Sequence, residues 1–233
     1  MTVVMLHPKN LTEQVVDALG RRIVSGFYKQ EEKLSIESEL CTEYGVSRSV
    51  MRESSKILSA KGLISVKPRR GTIVKKKEHW NLLDADVLNW TIELLPEHEF
   101  LDMLFEVRMA MEPHAAALAA QNATEDDIRA IGNAYKDMAS AKTPDELTNP
   151  DIRFHQAIMD ATHNDMLSYI GRTLHNALEQ SIKLTSRHPN THALSLPRHE
   201  ALYIAIKTSN PDEARKSTIQ LLLNSRDDFD QLT

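Results

Sequence analysis

The chain has 233 residues, with 28 Lys and Arg against 33 Asp and Glu, and one cysteine, Cys41, which excludes an intramolecular disulfide framework. The first residues lack the apolar core of a signal peptide and no spanning segment is visible, so a cytoplasmic protein without a membrane partner is expected. The net charge of −5 hides an asymmetry: residues 1–78 carry 15 basic against 9 acidic residues, and the other 155 carry 13 against 24. A basic N-terminal part marks a polyanion partner, whereas the acidic remainder would repel DNA and faces something else.

Leu11, Val15, Val16, Leu19 and Ile23 recur at helical spacing, and Ser25 with Gly26 ends that helix. A second helix is expected from Ile36 to Tyr44, with Ser35 as its N-cap and Ile36, Leu40 and Tyr44 as its apolar stripe. Gly45 ends it and Ser47 caps the next, a turn of the length that a helix-turn-helix needs. In that next helix Val50, Ile57 and Leu58 pack inward, while Arg48 and Arg52, four apart, project from one exposed face where major-groove contacts belong. Such arginines fork onto guanine or clamp a phosphate; Ser47, Ser49 and Ser54 add weaker phosphate contacts. Leu63 to Val66 and Thr72 to Val74 read as two short strands around the basic turn Lys67 to Gly71. They form a wing whose Arg69, Arg70 and Gly71 suit a narrow minor groove.

The polar run Lys75 to His79 places the domain boundary near residue 79, with Trp80, Leu83, Val87 and Trp90 expected to pack across it. Beyond it strand signals are missing. Helices are expected near 84–95, 98–121, 124–141, 150–163, 165–187, 196–208 and 211–230, with Thr124, Asn149-Pro150 and Asn210-Pro211 marking starts. The fold class is therefore mainly α: a winged helix-turn-helix over 1–78 with a two-stranded wing, and an all-α bundle over 79–233 that can enclose a pocket.

Within the bundle Asp151 and His155 share one helix face. A carboxylate and an imidazole so placed suit a divalent metal, although the same spacing also serves surface and capping pairs. His199, from another helix, is a candidate third ligand. Arg108 is placed either in an i, i+4 pair with Glu112 or in bidentate contact with a carboxylate. Asn164 is read as a helix cap before Asp165, with ligand contact as the alternative, and His163, His188 and His192 as surface residues.

The N-terminal part closely resembles the winged-helix domain of the GntR family, and the rest is similar to the all-helical FCD domain of its FadR subfamily. The match is carried by Ser47-Arg48-Ser49-Val50-Met51-Arg52-Glu53, Lys61-Gly62-Leu63-Ile64, Arg70-Gly71-Thr72, Glu106-Val107-Arg108 with Glu112, Asp151-Ile152-Arg153-Phe154-His155 and Arg198-His199-Glu200. The stretch Trp80 to Trp90 further resembles the subgroup that regulates galactonate, hexuronate and related aldonate catabolism.

This resemblance implies a homodimeric transcription regulator, a repressor in that subgroup's manner, that binds a pseudopalindromic double-stranded operator and releases it for a small carboxylate effector, a sugar acid. It implies Arg108, Asp151, His155, His199 and Asn164 as effector-binding residues, and Asp151, His155 and His199 as ligands of a divalent metal such as zinc. Three departures accompany it. Ser38 stands where the family commonly carries arginine, Ser35 where proline is frequent, and Leu221 where the family's last metal-binding histidine falls. The three remaining ligands either hold a metal with water or effector oxygens, or bind the effector directly. The competing reading is a metal-dependent hydrolase or lyase acting on a sugar acid, but no general base is placed beyond the ligands themselves. The helix around Asp84 to Leu95 is the expected transmitter between effector and DNA.

Overall fold

Helix α1 (Leu11–Val24) opens with a capping box in which the Asn10 side chain accepts from the Glu13 backbone and Glu13 accepts in return. Its inner face is Val15, Val16, Leu19 and Ile23; Leu11, at the frayed end, is exposed. The computed structural model describes residues 10–67, 71–185 and 191–230 of the chain. Two units cluster separately, residues up to Leu95 and residues from Pro96 onward.

In the first unit, α2 (Glu37–Tyr44) starts one residue later than expected. Ile36, not Ser35, occupies the N-cap position and supplies no side-chain cap. Glu37 and Glu39 in the first turn favour the helix dipole instead. Ile36 is consequently outside the apolar stripe and exposed, while Leu40 is buried and Tyr44 half-buried. Gly45 closes α2 at φ 63°, a left-handed turn that costs a side-chain-bearing residue about 1 kcal/mol or more. Helix α3 (Arg48–Ala60) follows, capped by Ser47, and buries Met51, Ser54 and Leu58.

Strands β1 (Ile64–Lys67) and β2 (Gly71–Val74) pair antiparallel, Ile64 opposite Val74 and Lys67 opposite Gly71. The segment before α2 lies along the far edge of β2, with Lys33 bridging Ile73 and the Leu34 N–H donating to the Thr72 carbonyl at 2.9 Å. This third strand-like segment satisfies backbone groups that a lone hairpin would leave to water.

The chain then makes a short 3-10 turn, Lys77–His79, and enters α4 (Ala85–Leu94), whose N-cap Asp84 accepts from Asp86 and Val87. The boundary expected near residue 79 is therefore displaced to 95–96. Helix α4 belongs to the first unit because Val87 and Trp90 complete its core, together with Leu19, Ile23 and Leu58. The Trp90 ring lies directly over Gly20, and its Nε1–H donates to Asp17 at 2.9 Å. Lys61 holds the start of α4 by ammonium contacts of 2.7 and 2.8 Å to Asp84 and Asp86. Leu83 takes no part and is exposed.

The second unit consists of α5 (Glu97–Asn122), α6 (Glu125–Ser140), α7 (Pro144–Asp160), α8 (Asp165–Thr173), α9 (His175–Thr185), α10 (Thr191–Lys207) and α11 (Pro211–Asp230). The start marked by Thr124 is a capping box with Asp127, and Asn210 accepts from the Glu213 N–H at the head of α11. The start expected at Asn149-Pro150 is not a start. Thr143 caps α7 instead, and Pro150 lies inside that helix. Likewise α10 begins before Pro197 and contains it. The single helix expected over 165–187 breaks at Leu174, where ψ near 1° ends α8. Helix α9 then presents Ala177, Leu178, Ser181 and Ile182 inward.

α5 packs against α11, α6 against α7, and α10 against α11. Small residues on α5, Ala116, Ala119 and Ala120, let its neighbours approach closely around Phe154, Ile158, Leu202 and Ile206. Each fully buried large side chain of this set contributes about 1.5–3 kcal/mol through removal from water.

Candidate functional site

In the first unit the candidate DNA-contacting residues lie on α3 and the wing. Arg48 and Arg52 are both exposed, as their four-residue spacing predicts. Arg52 is not free: its Nε–H donates to both carboxylate oxygens of Glu37, at 2.9 and 3.1 Å. Sequence reasoning missed this pair, because Glu37 lies fifteen residues earlier on another helix. Ser47 uses its hydroxyl to cap α3, accepting from Val50 N at 3.4 Å, and its oxygen lies 2.8 Å from that of Ser49. Ser54 is displaced from the DNA face. It is fully buried and donates to the carbonyls of Val50 and Thr12, so it contacts no phosphate. Gly71 opens β2 at φ 88°, and a Cβ there would come within 2.7 Å of Lys33 Cε. Lys33 thus adds a cation to the wing that no local motif announced. Arg69 and Arg70 lie outside the described residues.

In the second unit α5, α7 and α10 converge on a buried charge cluster. Arg108 Nε donates to Glu112 Oε1 at 2.5 Å, and Arg108 Nη2 stands 3.3 Å from His155 Nε2. The other ring nitrogen of His155 is 3.3 Å from Glu112 Oε2. Asp151 Oδ1 faces His155 Nε2 at 3.2 Å and His199 Nε2 at 3.6 Å. Burial disfavours the charged form of His155, but Glu112 and Asp151 outweigh it and push the pKa up to about 9. Burial likewise opposes ionisation of Glu112, yet Arg108 and His155 bring it down to about 2. Asp151 is held well below the usual carboxylate range by His199 and His155, again against the effect of burial.

Two atoms of this cluster remain unsatisfied: Asp151 Oδ1 and His199 Nε2 are buried without a hydrogen-bond partner. Such groups are costly unless something fills the space between them. The His199 Nδ1 contacts the Ser195 carbonyl at 2.9 Å. A carbonyl only accepts, so Nδ1 donates to it, and Nε2 is the ring nitrogen that faces the cluster. Asp151, His155 and His199 each offer a ligand atom, all within 4.8 Å of one another. Donors bound at about 2.1 Å around one tetrahedral ion stand about 3.4 Å apart, which the separations of 3.2 and 3.6 Å match. The donor set fits zinc or a similar divalent ion. A backbone carbonyl orienting one histidine and a carboxylate beside the other complete the usual outer support of metal-bound imidazoles.

A cavity of about 40 Å³ opens onto the cluster, lined also by Leu147, Arg198 and Leu221. Leu221 is buried beside the three candidate ligands and brings no donor atom. Asn164 stands apart: it caps α8, accepting from Met166 N and Leu167 N, and lines none of the cavities around the cluster. His163 is half exposed and pairs with Asp127 at 2.9 Å; His188 lies outside the described residues. Sequence reasoning missed Ser181, Thr185 and Ser225, hydroxyls from α9 and α11 that line the same cavity.

No helix among the described residues is long and apolar enough to cross a membrane. The chain matches the bacterial regulatory proteins of the gntR family over residues 11–74 and the FCD domain over residues 103–224. It is 32% identical over 230 residues to the galactonate operon transcriptional repressor of Escherichia coli, covering 96% of this chain and 99% of that one. The Uxu operon regulator of Haemophilus influenzae is 29% identical, covering 88% and 77% of the two chains. A putative L-lactate dehydrogenase operon regulatory protein of Escherichia coli is 28% identical, covering 90% and 83%. Among solved structures, Lar, which controls expression of the Listeria monocytogenes agr system, aligns with TM-score 0.63 at 19% identity, over 97% of this chain and 100% of that one. The family consists of regulators and not of enzymes, which sets aside the hydrolase or lyase reading. With a winged helix-turn-helix ahead of an FCD domain, the chain belongs to the GntR family of DNA-binding transcriptional regulators.

Proposed function

We propose that this regulator is a cytoplasmic, homodimeric repressor of a sugar-acid catabolic operon, released from its operator when an aldonate or uronate enters the FCD cavity. The observation that carries the reading is the buried cluster of Arg108, Asp151, His155 and His199 facing that cavity, in a chain 32% identical to a galactonate operon repressor. An enclosed guanidinium beside unsatisfied metal-ligand atoms is a receptor for an anion that also carries hydroxyl oxygens. Asp151, His155 and His199 would hold a divalent ion, zinc by donor type, which would supply positive charge beside the effector carboxylate. Leu221 brings no donor atom to that set. Arg108 forks onto the carboxylate, exchanging part of its contact with Glu112. Arg48, Arg52, Ser47 and Ser49 contact the major groove and its phosphates, with Arg69, Arg70 and Gly71 of the wing in the minor groove.

Release requires the effector to favour the DNA-incompetent arrangement. A coupling of about 1–3 kcal/mol changes operator affinity roughly 5- to 150-fold. Helix α4, covalently followed by the helix that bears Arg108, is the transmitting element.

The test is fluorescence anisotropy on the DNA upstream of the gene and on a scrambled control, at fixed salt, with a panel of aldonates and uronates. Selective binding relieved by one acid in the unaltered protein, but not in Arg108→Ala, is the expected result. Equal affinity for both DNAs removes operator recognition, and selective binding that no acid changes removes the sugar-acid effector.

A further inference from the structure

The inner cavity is not closed. It shares Arg108, Ser181, Thr185, Leu222 and Ser225 with a second compartment of about 100 Å³, lined further by His98, Asp102, Phe105 and Arg226. At roughly one water-sized atom per 10–15 Å³, the inner space takes about three or four such atoms and the outer one about seven to ten. A two- or three-carbon hydroxy acid is accommodated at the inner end alone. A longer acid anchored there by its carboxylate must extend into the outer compartment.

The chemistry of that outer compartment is specific. Arg226 Nη2 lies 2.7 Å from Asp102 Oδ1, and its guanidinium sits 4.9 Å from the centre of the Phe105 ring. Paired on one side and backed by an aromatic face, the guanidinium is held in place before any ligand arrives. The pair is neutral as a whole, so a second carboxylate or a phosphate gains little and meets the Asp102 charge. An alkyl tail would mask both groups without replacing their hydrogen bonds to water. A chain of hydroxyls does neither, since each hydroxyl accepts from Arg226 and donates to Asp102.

Resting on the sugar-acid reading above, we propose that Asp102 and Arg226 form a distal subsite that reads the hydroxyl tail of the effector. The subsite selects open-chain, six-carbon monocarboxylates over short hydroxy acids and over dicarboxylates.

The experiment is calorimetric titration of the full chain and of Arg226→Met, Asp102→Asn and Arg108→Ala with galactonate, gluconate, mannonate, galactarate and glycerate. Asp102 and Arg226 are exposed and contribute little to stability, and melting curves check this. The expected result is that the best six-carbon monocarboxylate loses about 10–100-fold in affinity in Arg226→Met and Asp102→Asn, the factor that hydrogen bonds to charged groups carry. Glycerate binds more weakly than the best six-carbon acid, and its affinity stays within twofold in Arg226→Met and Asp102→Asn. Unchanged six-carbon affinity in these two variants, with loss in Arg108→Ala, overturns the distal subsite while the sugar-acid reading stands. Glycerate or galactarate binding as tightly as the best monocarboxylate also overturns it. If no aldonate binds the unaltered chain, the sugar-acid reading fails and the subsite with it.

Discussion

Leu221 is one side chain with a large leverage on its surroundings. It is buried against Asp151, His155 and His199 and lines their cavity, yet offers nothing to the unsatisfied Asp151 Oδ1 and His199 Nε2. Leu221→His places an imidazole where a fourth donor belongs. The expected outcome is tighter zinc retention, by more than the roughly 10–100-fold that an outer-sphere partner contributes, with weaker release of DNA by the effector because its coordination position is taken. Competition with a chromophoric chelator measures the first and anisotropy the second; unchanged zinc affinity would remove Asp151, His155 and His199 as the ligand set. At this scale the sequence was informative where residues share a helix. Arg48 with Arg52, Asp151 with His155 and Arg108 with Glu112 were all legible from a spacing of four. It was silent where partners lie on different helices. Nothing local could announce that Glu37 holds Arg52, that Lys33 lies against Gly71, or that Asp102 meets Arg226.

Among the elements, α1 and α4 show packing overriding intrinsic preference. Gly20 sits in the interior of α1, where alanine is ordinarily the better residue by about 1 kcal/mol. Here a Cβ would stand 2.3 Å from the Trp90 ring, which is itself buried and hydrogen-bonded to Asp17. Gly20→Ala is therefore expected to destabilise the first unit by about 1–3 kcal/mol, the usual cost of overpacking, despite its better helix propensity. A melting temperature equal to or above that of the unaltered protein would show that α4 does not dock there. The same competition explains the elements misjudged from sequence. Pro150 was read as a first helical residue because proline lacks an N–H, and a helix was expected only from about residue 196, yet Pro150 and Pro197 each lie within a longer helix. The break at Leu174 carries neither glycine nor proline, so no turn signal marked it. Helix starts defined by a side-chain cap, at Asn10, Ser47, Asp84 and Thr124, are written locally. Ser47 and Thr124 were read as such from sequence.

At the scale of the whole molecule, the chain is two cores joined in sequence at Leu95 and Pro96, with opposite charge character. The fold class was legible because only the wing offers short β-branched runs around a tight turn, while everything after residue 84 has helical periodicity. The boundary was not, because the polar run Lys75 to His79 resembles a linker while Trp90 returns to the first core. A fragment covering residues 1–95 is accordingly expected to melt cooperatively and to bind DNA with the salt dependence of several phosphate contacts. A fragment ending at residue 78 lacks Val87 and Trp90 and is expected to show no cooperative transition by circular dichroism. Equal cooperativity in the two fragments would mean that α4 adds nothing to the core.

The docking of Trp90 over Gly20 also bears on how such regulators are recombined. A reading head exchanged between two proteins at residue 78 would inherit a hole shaped for its former partner's indole, and the new neighbour would have to bring a matching ring. Exchange at residue 95 carries lock and key together. Crossovers that keep both parents' stability belong in the few residues around Leu95, and shuffled libraries of these proteins should be enriched for joints there.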